Sequence, residues 1–287
     1  MDKYQEAFAK FQAVGSSKEI TEKVNKILQT HYDKNFTADV LKKLHGCIDL
    51  TSLSTTDTKE SIWQFVNQVN DFEGTAPDIP NVAAICTYPN FVETVKQALT
   101  TQNVKIAAVA GAFPSSQTFI EVKIAEVALA VMHGAEEVDT VINVGYLLEK
   151  NYQELAEEIQ EIKSSCQEAT LKVILETGAL NTPDDIQRAA ILAIYSGADI
   201  LKTSTGKEYT GATPESVYIM CQVIKQYYDL TGTQIGIKVS GGVRKAEDAV
   251  KYYTIVKEIL GEEWLNKDYF RIGASQLRTD LLKRISE

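Results

Sequence analysis

Histidine and cysteine are scarce in this chain: three histidines (His31, His45, His133) and four cysteines (Cys47, Cys86, Cys166, Cys221) in 287 residues. The histidines lack metal-ligand spacing and no acidic partners converge on them, so neither a metal nor any other cofactor is expected. The cysteines form no CxxC pair and lie mostly in apolar or helical surroundings; reduced thiols in a cytoplasm are the simplest expectation. No apolar run is long enough to cross a bilayer. The opening Met1-Asp-Lys-Tyr-Gln-Glu-Ala-Phe is charged and helical in pattern rather than a secretory leader, so no membrane is expected as a partner. Basic stripes are missing as well. A net charge of −10, with acidic residues spread along the chain, argues against nucleic acid.

What is present is an ordinary globular composition, 44% hydrophobic and 24% charged, with enough apolar residues for a large core. From Cys47 onward short apolar runs alternate with amphipathic segments of helical period. The runs are Cys47-Ile-Asp-Leu, Val82-Ala-Ala-Ile-Cys, Val104-Lys-Ile-Ala-Ala-Val, Glu137-Val-Asp-Thr-Val-Ile, Leu171-Lys-Val-Ile-Leu-Glu, Asp199-Ile-Leu-Lys, Gln234-Ile-Gly-Ile-Lys and Tyr269-Phe-Arg-Ile-Gly. Thr182-Pro183 and Thr213-Pro214 place a capping hydroxyl before proline in a first helical turn. Gly134, Gly197 and Gly261 close helical patterns as left-handed caps should. Eight strand-helix units predict a single α/β domain, a (β/α)8 TIM barrel over residues 1–287. An open doubly wound sheet is the fallback, but Asp49-Leu-Thr-Ser lacks the glycine-rich turn it would show. Residues 1–46 read as extra N-terminal helices over 3–14, 17–29 and 37–44, set against the barrel bottom or one side.

In a barrel the carboxyl ends of the strands hold the site. Asp49, Cys86, Asp139, Glu176, Lys202, Lys238 and the Gly273-Ala-Ser275 turn collect there. Polar residues at the opposite ends (Asn81, Lys105, Lys172) are fewer and read as ordinary solvated ends. A lysine closing a buried strand is costly unless paired or neutral, and two amines aimed at one pocket repel until one loses its proton. A neutral lysine attacks carbonyls, which makes Lys202 the candidate nucleophile and Lys238 its charge partner. The plainer alternatives are a lysine snorkelling to water at 202 and a salt bridge at 238. Asp139 is a candidate proton handler, or a structural acceptor. Cys86 is a pocket wall or, more simply, a packed core thiol.

A second pattern suits an anion. Thr205, Gly206 and Lys207 follow Lys202, and Gly241-Gly242-Val-Arg244 and Gly273-Ala-Ser275 follow the last two runs. Glycines let backbone amides approach a phosphate, and barrels often hold one with the loops after strands seven and eight.

Asp49-Leu-Thr, Ala-Ile-Cys86-Thr-Tyr-Pro, Glu-Val-Asp139-Thr-Val-Ile-Asn, Leu-Glu176-Thr-Gly, Lys202-Thr-Ser-Thr-Gly-Lys207, Lys238-Val-Ser-Gly-Gly-Val-Arg and Phe-Arg-Ile-Gly-Ala-Ser275 resemble, in that order, deoxyribose-phosphate aldolase. The resemblance runs from about Cys47 to the C-terminus. It implies a metal-independent class I aldolase that reversibly cleaves 2-deoxy-D-ribose 5-phosphate to acetaldehyde and D-glyceraldehyde 3-phosphate, in the degradation of deoxynucleosides. Lys202 would form the imine, with Lys238, Asp139 and water transferring protons. Asp49, Cys86, Thr205, Gly206, Lys207, Gly241, Gly242, Gly273 and Ser275 would line the site of a small phosphosugar. Some members end in a tyrosine-bearing tail, whereas this sequence closes with Arg284-Ile-Ser-Glu287; Ala110-Gly-Ala-Phe-Pro-Ser-Ser-Gln117 also departs from the shorter Phe-Pro loop of several relatives. Rival readings are another Schiff-base phosphosugar aldolase or transaldolase, and a phosphosugar-binding barrel without catalysis. A homodimer is compatible with the sequence.

Overall fold

The computed structural model describes residues 3–287; Met1 and Asp2, the start of the charged opening segment, lie outside the described residues. Eight strands form one closed parallel barrel, each paired with the next and the last with the first. They are β1 (Ile48–Thr51), β2 (Ala84–Thr87), β3 (Lys105–Val109), β4 (Glu137–Val141), β5 (Thr170–Ile174), β6 (Ile200–Lys202), β7 (Gly236–Ser240) and β8 (Phe270–Ala274). Three helices precede the barrel: α1 (Lys3–Phe8), α2 (Ser17–Asn35) and α3 (Ala38–His45). The rest wrap it: α4 (Lys59–Asn70), α5 (Val92–Ala98), α6 (Ile120–His133), α7 (Val144–Leu148), α8 (Tyr152–Ser165), α9 (Pro183–Tyr195), α10 (Pro214–Thr231), α11 (Ala246–Leu260) and α12 (Leu277–Ser286). This is the (β/α)8 barrel the alternation predicts.

The helix starts follow from local chemistry. The Thr182 hydroxyl accepts from the Asp185 N–H, and Thr213 and Ser216 exchange a reciprocal capping box. Gly134 ends α6 in the left-handed region with φ 116°; Gly197 and Gly261 also have positive φ, but Gly261 pairs it with an extended ψ of 174° rather than a left-handed cap.

The N-terminal helices lie along one flank, α1 on α9, α2 on α10 and α11, and α3 on α11 and α12. Two bounds differ from the sequence expectation by more than one residue. The first helix stops at Phe8 instead of 14, because Gln226 and Gln187 on α10 and α9 take the backbone N–H and carbonyl of Gln12. The second runs on to Asn35, whose side chain bonds Thr254 on α11.

Alternation along the strands sorts two interiors. Outward residues such as Ile48, Leu50, Ile85, Val138 and Ile237 join the helices in the main apolar core. Inside the barrel, Ala84, Cys86, Ala107 and Val109 form a separate small cluster, and much of the remaining space holds charge. Among the described residues no helix is long and apolar enough to cross a membrane.

Candidate active site

Seven ionisable side chains fill the barrel axis: Asp49, Glu137, Asp139, Lys172, Lys202, Lys238 and Arg271, none more than 4% exposed. Strand register puts them in contact. Asp139 is opposite Lys172, Lys202 opposite Lys238, and Lys238 opposite Arg271. At the base, Arg271 donates to Asp49 (2.7 Å) and with both terminal nitrogens to Glu137 (3.0 and 2.8 Å). Above it the Lys172 ammonium touches Glu137 (2.6 Å), Asp139 (3.0 Å) and Asp49 (3.1 Å). At the top one oxygen of Asp139 holds both Lys202 and Lys238, each at 2.7 Å, while Lys238 also reaches Asp49 at 2.5 Å.

Lys172 therefore overturns the expectation of a solvated strand end: it is the centre of this network and wholly buried. Lys105 does reach solvent, with a side chain 38% exposed and 3.6 Å from Glu137. Lys172, Glu137 and Arg271 were missed as members of the site. The signal for them was parity: Glu137 and Asp139 share a strand face, and Lys172 and Arg271 fall on the faces directed at them.

The network distinguishes the two upper lysines. Burial lowers the pKa of Lys202, and the Lys238 charge pushes the same way against its single carboxylate, Asp139. Lys238 is also desolvated, but Asp139 and Asp49 outweigh that and raise its pKa. For Asp139 burial opposes ionisation, yet Lys172, Lys202 and Lys238 hold its carboxyl far below the usual range. The barrel axis carries four cations against three carboxylates, so charge balances when one cation gives up its proton. Lys202, with the fewest carboxylate contacts and a lowered pKa, is the one whose proton is held least firmly.

Lys202 also lines a cavity of about 260 Å³ at the C-terminal mouth, with Thr205, Gly206, Lys207, Gly241, Gly242, Arg244, Gly273 and Ser275 among the lining. Lys207 and Arg244 line it beside Lys202, and no carboxylate does, on a chain of net charge −10. The N–H groups of Gly206, Gly242 and Val243 have no acceptor among the described residues. Unsatisfied amides beside cations suit a phosphate.

The loops are built to hold this shape. Glu176 takes both donors of Thr205, its N–H at 3.2 Å and its hydroxyl in a short bond. The Thr203 hydroxyl bonds the Ser240 N–H and carbonyl, both at 3.0 Å. Gly211 and Gly241 cross so closely that a Cβ on Gly211 would lie 2.1 Å from the Gly241 carbonyl oxygen. Only glycine permits that approach. Gly273 leaves room for the Lys238 stem, since a Cβ there would come within 3.0 Å of Lys238 Cε.

Asp49 and Cys86 do not line this cavity. Asp49 lies in the charge network beneath it. Cys86 is fully buried in the small apolar cluster, over which Leu53, Tyr88 and Phe113 pack. Phe113 and Tyr88 meet the amines: Lys202 Nζ is 6.0 Å from the Phe113 ring centroid and Lys207 Nζ 5.8 Å from that of Tyr88.

The family model for DeoC/LacD family aldolases matches residues 45–283. The closed barrel, its buried amines and this match agree: the chain belongs to the DeoC/LacD family of aldolases. A Caenorhabditis elegans relative is 40% identical over 247 residues, 85% of this chain and 81% of its own. The human deoxyribose-phosphate aldolase, a lyase, is 37% identical over 262 residues, 88% of this chain and 82% of that protein. The structure of deoxyribose phosphate aldolase from Aeropyrum pernix, described as tetrameric, superposes with a TM-score of 0.68 at 26% identity, over 91% of this chain and 97% of that one.

Proposed function

We propose that this aldolase reversibly cleaves 2-deoxy-D-ribose 5-phosphate to acetaldehyde and D-glyceraldehyde 3-phosphate through an imine on Lys202. One observation carries it: of the four cations along the barrel axis, the one poised to be neutral is the one that opens onto the anion-receptive cavity. The neutral amine adds to the C1 aldehyde, and loss of water with uptake of one proton from solvent leaves a protonated imine. The C3 hydroxyl then gives up its proton, the C2–C3 bond breaks, and its electron pair moves to the iminium nitrogen as an enamine. Glyceraldehyde 3-phosphate departs, C2 is protonated, and water releases acetaldehyde.

Asp139 is ionised throughout the ordinary pH range, so it accepts hydrogen bonds from the lysines and from the water that carries the protons. Lys238 stays an ammonium, keeping Lys202 neutral and Asp139 in place. Lys207, Arg244, the Gly242 amide and Ser275 grip the phosphate, orienting the reacting carbons from a non-reacting end. Asp49 positions Lys238 rather than touching substrate. The four free cysteines, all buried, fit a reducing cytoplasm, and the direction proposed in the cell is degradation of deoxynucleosides.

The test is borohydride reduction in the presence of acetaldehyde, then peptide mass mapping. The expected result is one reduced adduct, on Lys202. An adduct confined to Lys207 or Lys238 would overturn the assignment.

A further inference from the structure

The Phe113 ring stands over the reacting amine, and with Leu53 and Tyr88 it covers the apolar cluster of Ala84, Cys86, Ala107 and Val109. The cations of the cavity, Lys207 and Arg244, follow β6 and β7, whereas Phe113 and the apolar cluster of β2 and β3 adjoin Lys202 outside that lining. The loop that carries Phe113 is held in an unfavourable conformation. Ala112 and Ser116 have φ of 61° and 60°, a region that residues with a Cβ seldom enter unless their surroundings impose it.

Three fastenings impose it. The Ala112 N–H donates to Glu126 on α6 (2.8 Å). The Gln117 amide donates at 3.3 Å to Asn143, which caps α7 just beyond the strand bearing Asp139. The buried Ser116 hydroxyl accepts from Lys123 Nζ (2.8 Å). Lys123 is wholly buried on α6, with its ammonium 2.6 Å from Glu158 on α8. As a stability device such a pair is weak, because apolar residues of like volume do as well. Its contact with Ser116 gives it another task.

We infer that the buried Lys123–Glu158 pair is a positioning device for the reaction: through Ser116 it fixes the β3–α6 loop so that Phe113 closes the pocket over Lys202. The inference rests on Lys202 being the imine-forming amine. Phe113 keeps water from Nζ and limits the carbonyl fragment there to a short one. The ionisable groups facing Lys202 are Asp139 on β4, Lys238 on β7 and the Cys86 thiol on β2, with Lys172 on β5 behind Asp139. None belongs to the loop. Moving the loop therefore alters the titration of Lys202 through water access alone.

Three variants test this: Phe113→Ala; Ser116→Gly, which leaves the ion pair intact; and the apolar double variant Lys123→Met with Glu158→Leu, checked for folding by thermal melting. In each, the acid limb of the rate profile and of borohydride trapping with acetaldehyde should move up by about one pH unit, about tenfold fewer neutral amines at neutral pH. Turnover with propanal should rise relative to acetaldehyde, while inhibition by inorganic phosphate, which reads the cavity of Lys207 and Arg244, stays unchanged. A folded double variant with the wild-type midpoint and donor ratio would show the pair to be purely structural and overturn the inference, as would an unaltered midpoint in Phe113→Ala. No Lys202 adduct in the unaltered enzyme would overturn the proposed function and this inference with it. A normal adduct with unmoved variants overturns the inference alone.

Discussion

Lys202 and Lys238 are neighbours in register and share one carboxylate oxygen, yet their environments push their proton affinities apart. The cause is the count of carboxylates each can reach, one against two. An amine with an ordinary pKa of ~10.4 would be neutral about once in 2,500 at pH 7, so the displacement bears directly on rate. Lys238→Leu keeps bulk and removes the charge. We expect it to raise the pKa of Lys202, cut the rate at neutral pH by orders of magnitude and allow partial recovery at alkaline pH. A lower rate with an unchanged pH profile would assign Lys238 to proton transfer instead. Lys172→Met tests the residue that the sequence concealed. It leaves Asp49, Glu137 and Asp139 short of a cation in a buried site, a change of the kind that costs about 3–5 kcal/mol, measurable as a lower urea midpoint. The upper lysines were legible because each ends its apolar run. Lys172 was not, because a lysine near a strand's start looks the same whether its stem turns to solvent or across the barrel. Only the facing Glu137 and Asp139 decide that.

At the scale of elements, the strands were legible because each is a short branched-aliphatic run after a turn, and the helices because their caps are chemical signatures. What the sequence could not supply was contact between distant segments, as where glutamines from α9 and α10 end the first helix early. The cradle shows the same division. Gly241, Gly242, Gly273 and Ser275 could be read from the sequence, whereas Gly211 could not, since its need for a missing Cβ arises only from the crossing with Gly241. Ser275 is exposed at the start of the turn into α12 and lines the cavity. Ser275→Asp should set a like charge against a substrate phosphate and raise KM for deoxyribose 5-phosphate far more than for unphosphorylated deoxyribose. Equal losses for the two sugars would place the phosphate elsewhere.

Over the whole molecule, an acidic protein wraps a barrel axis with a surplus of one cation, and that arrangement should appear in stability against pH. Asp49 and Asp139 have folded pKa values below their unfolded ones. Their contribution is complete above the unfolded value of ~3.9 and is lost as pH falls below it. Lys172 and Lys238 are raised, so their contribution is complete below ~10.4 and is lost as pH rises through their folded values. Burial pushes the Cys47 and Cys166 thiols up to about 12, which subtracts stability above the unfolded thiol value of ~8.5. Lys202 alone among the buried lysines of the axis runs the other way. Its folded pKa is lowered, so the fold disfavours its charged form and gains stability as pH climbs from that lowered value toward ~10.4. The thiols mask this in the unaltered protein but are the same in Lys202→Met. The urea midpoint of the unaltered protein minus that of Lys202→Met should therefore rise with pH over the interval between the lowered folded value and ~10.4. A difference that stays flat, or falls, would mean that Lys202 keeps an ordinary or raised pKa in the fold, and the account of why this lysine is the nucleophile would have to be given up.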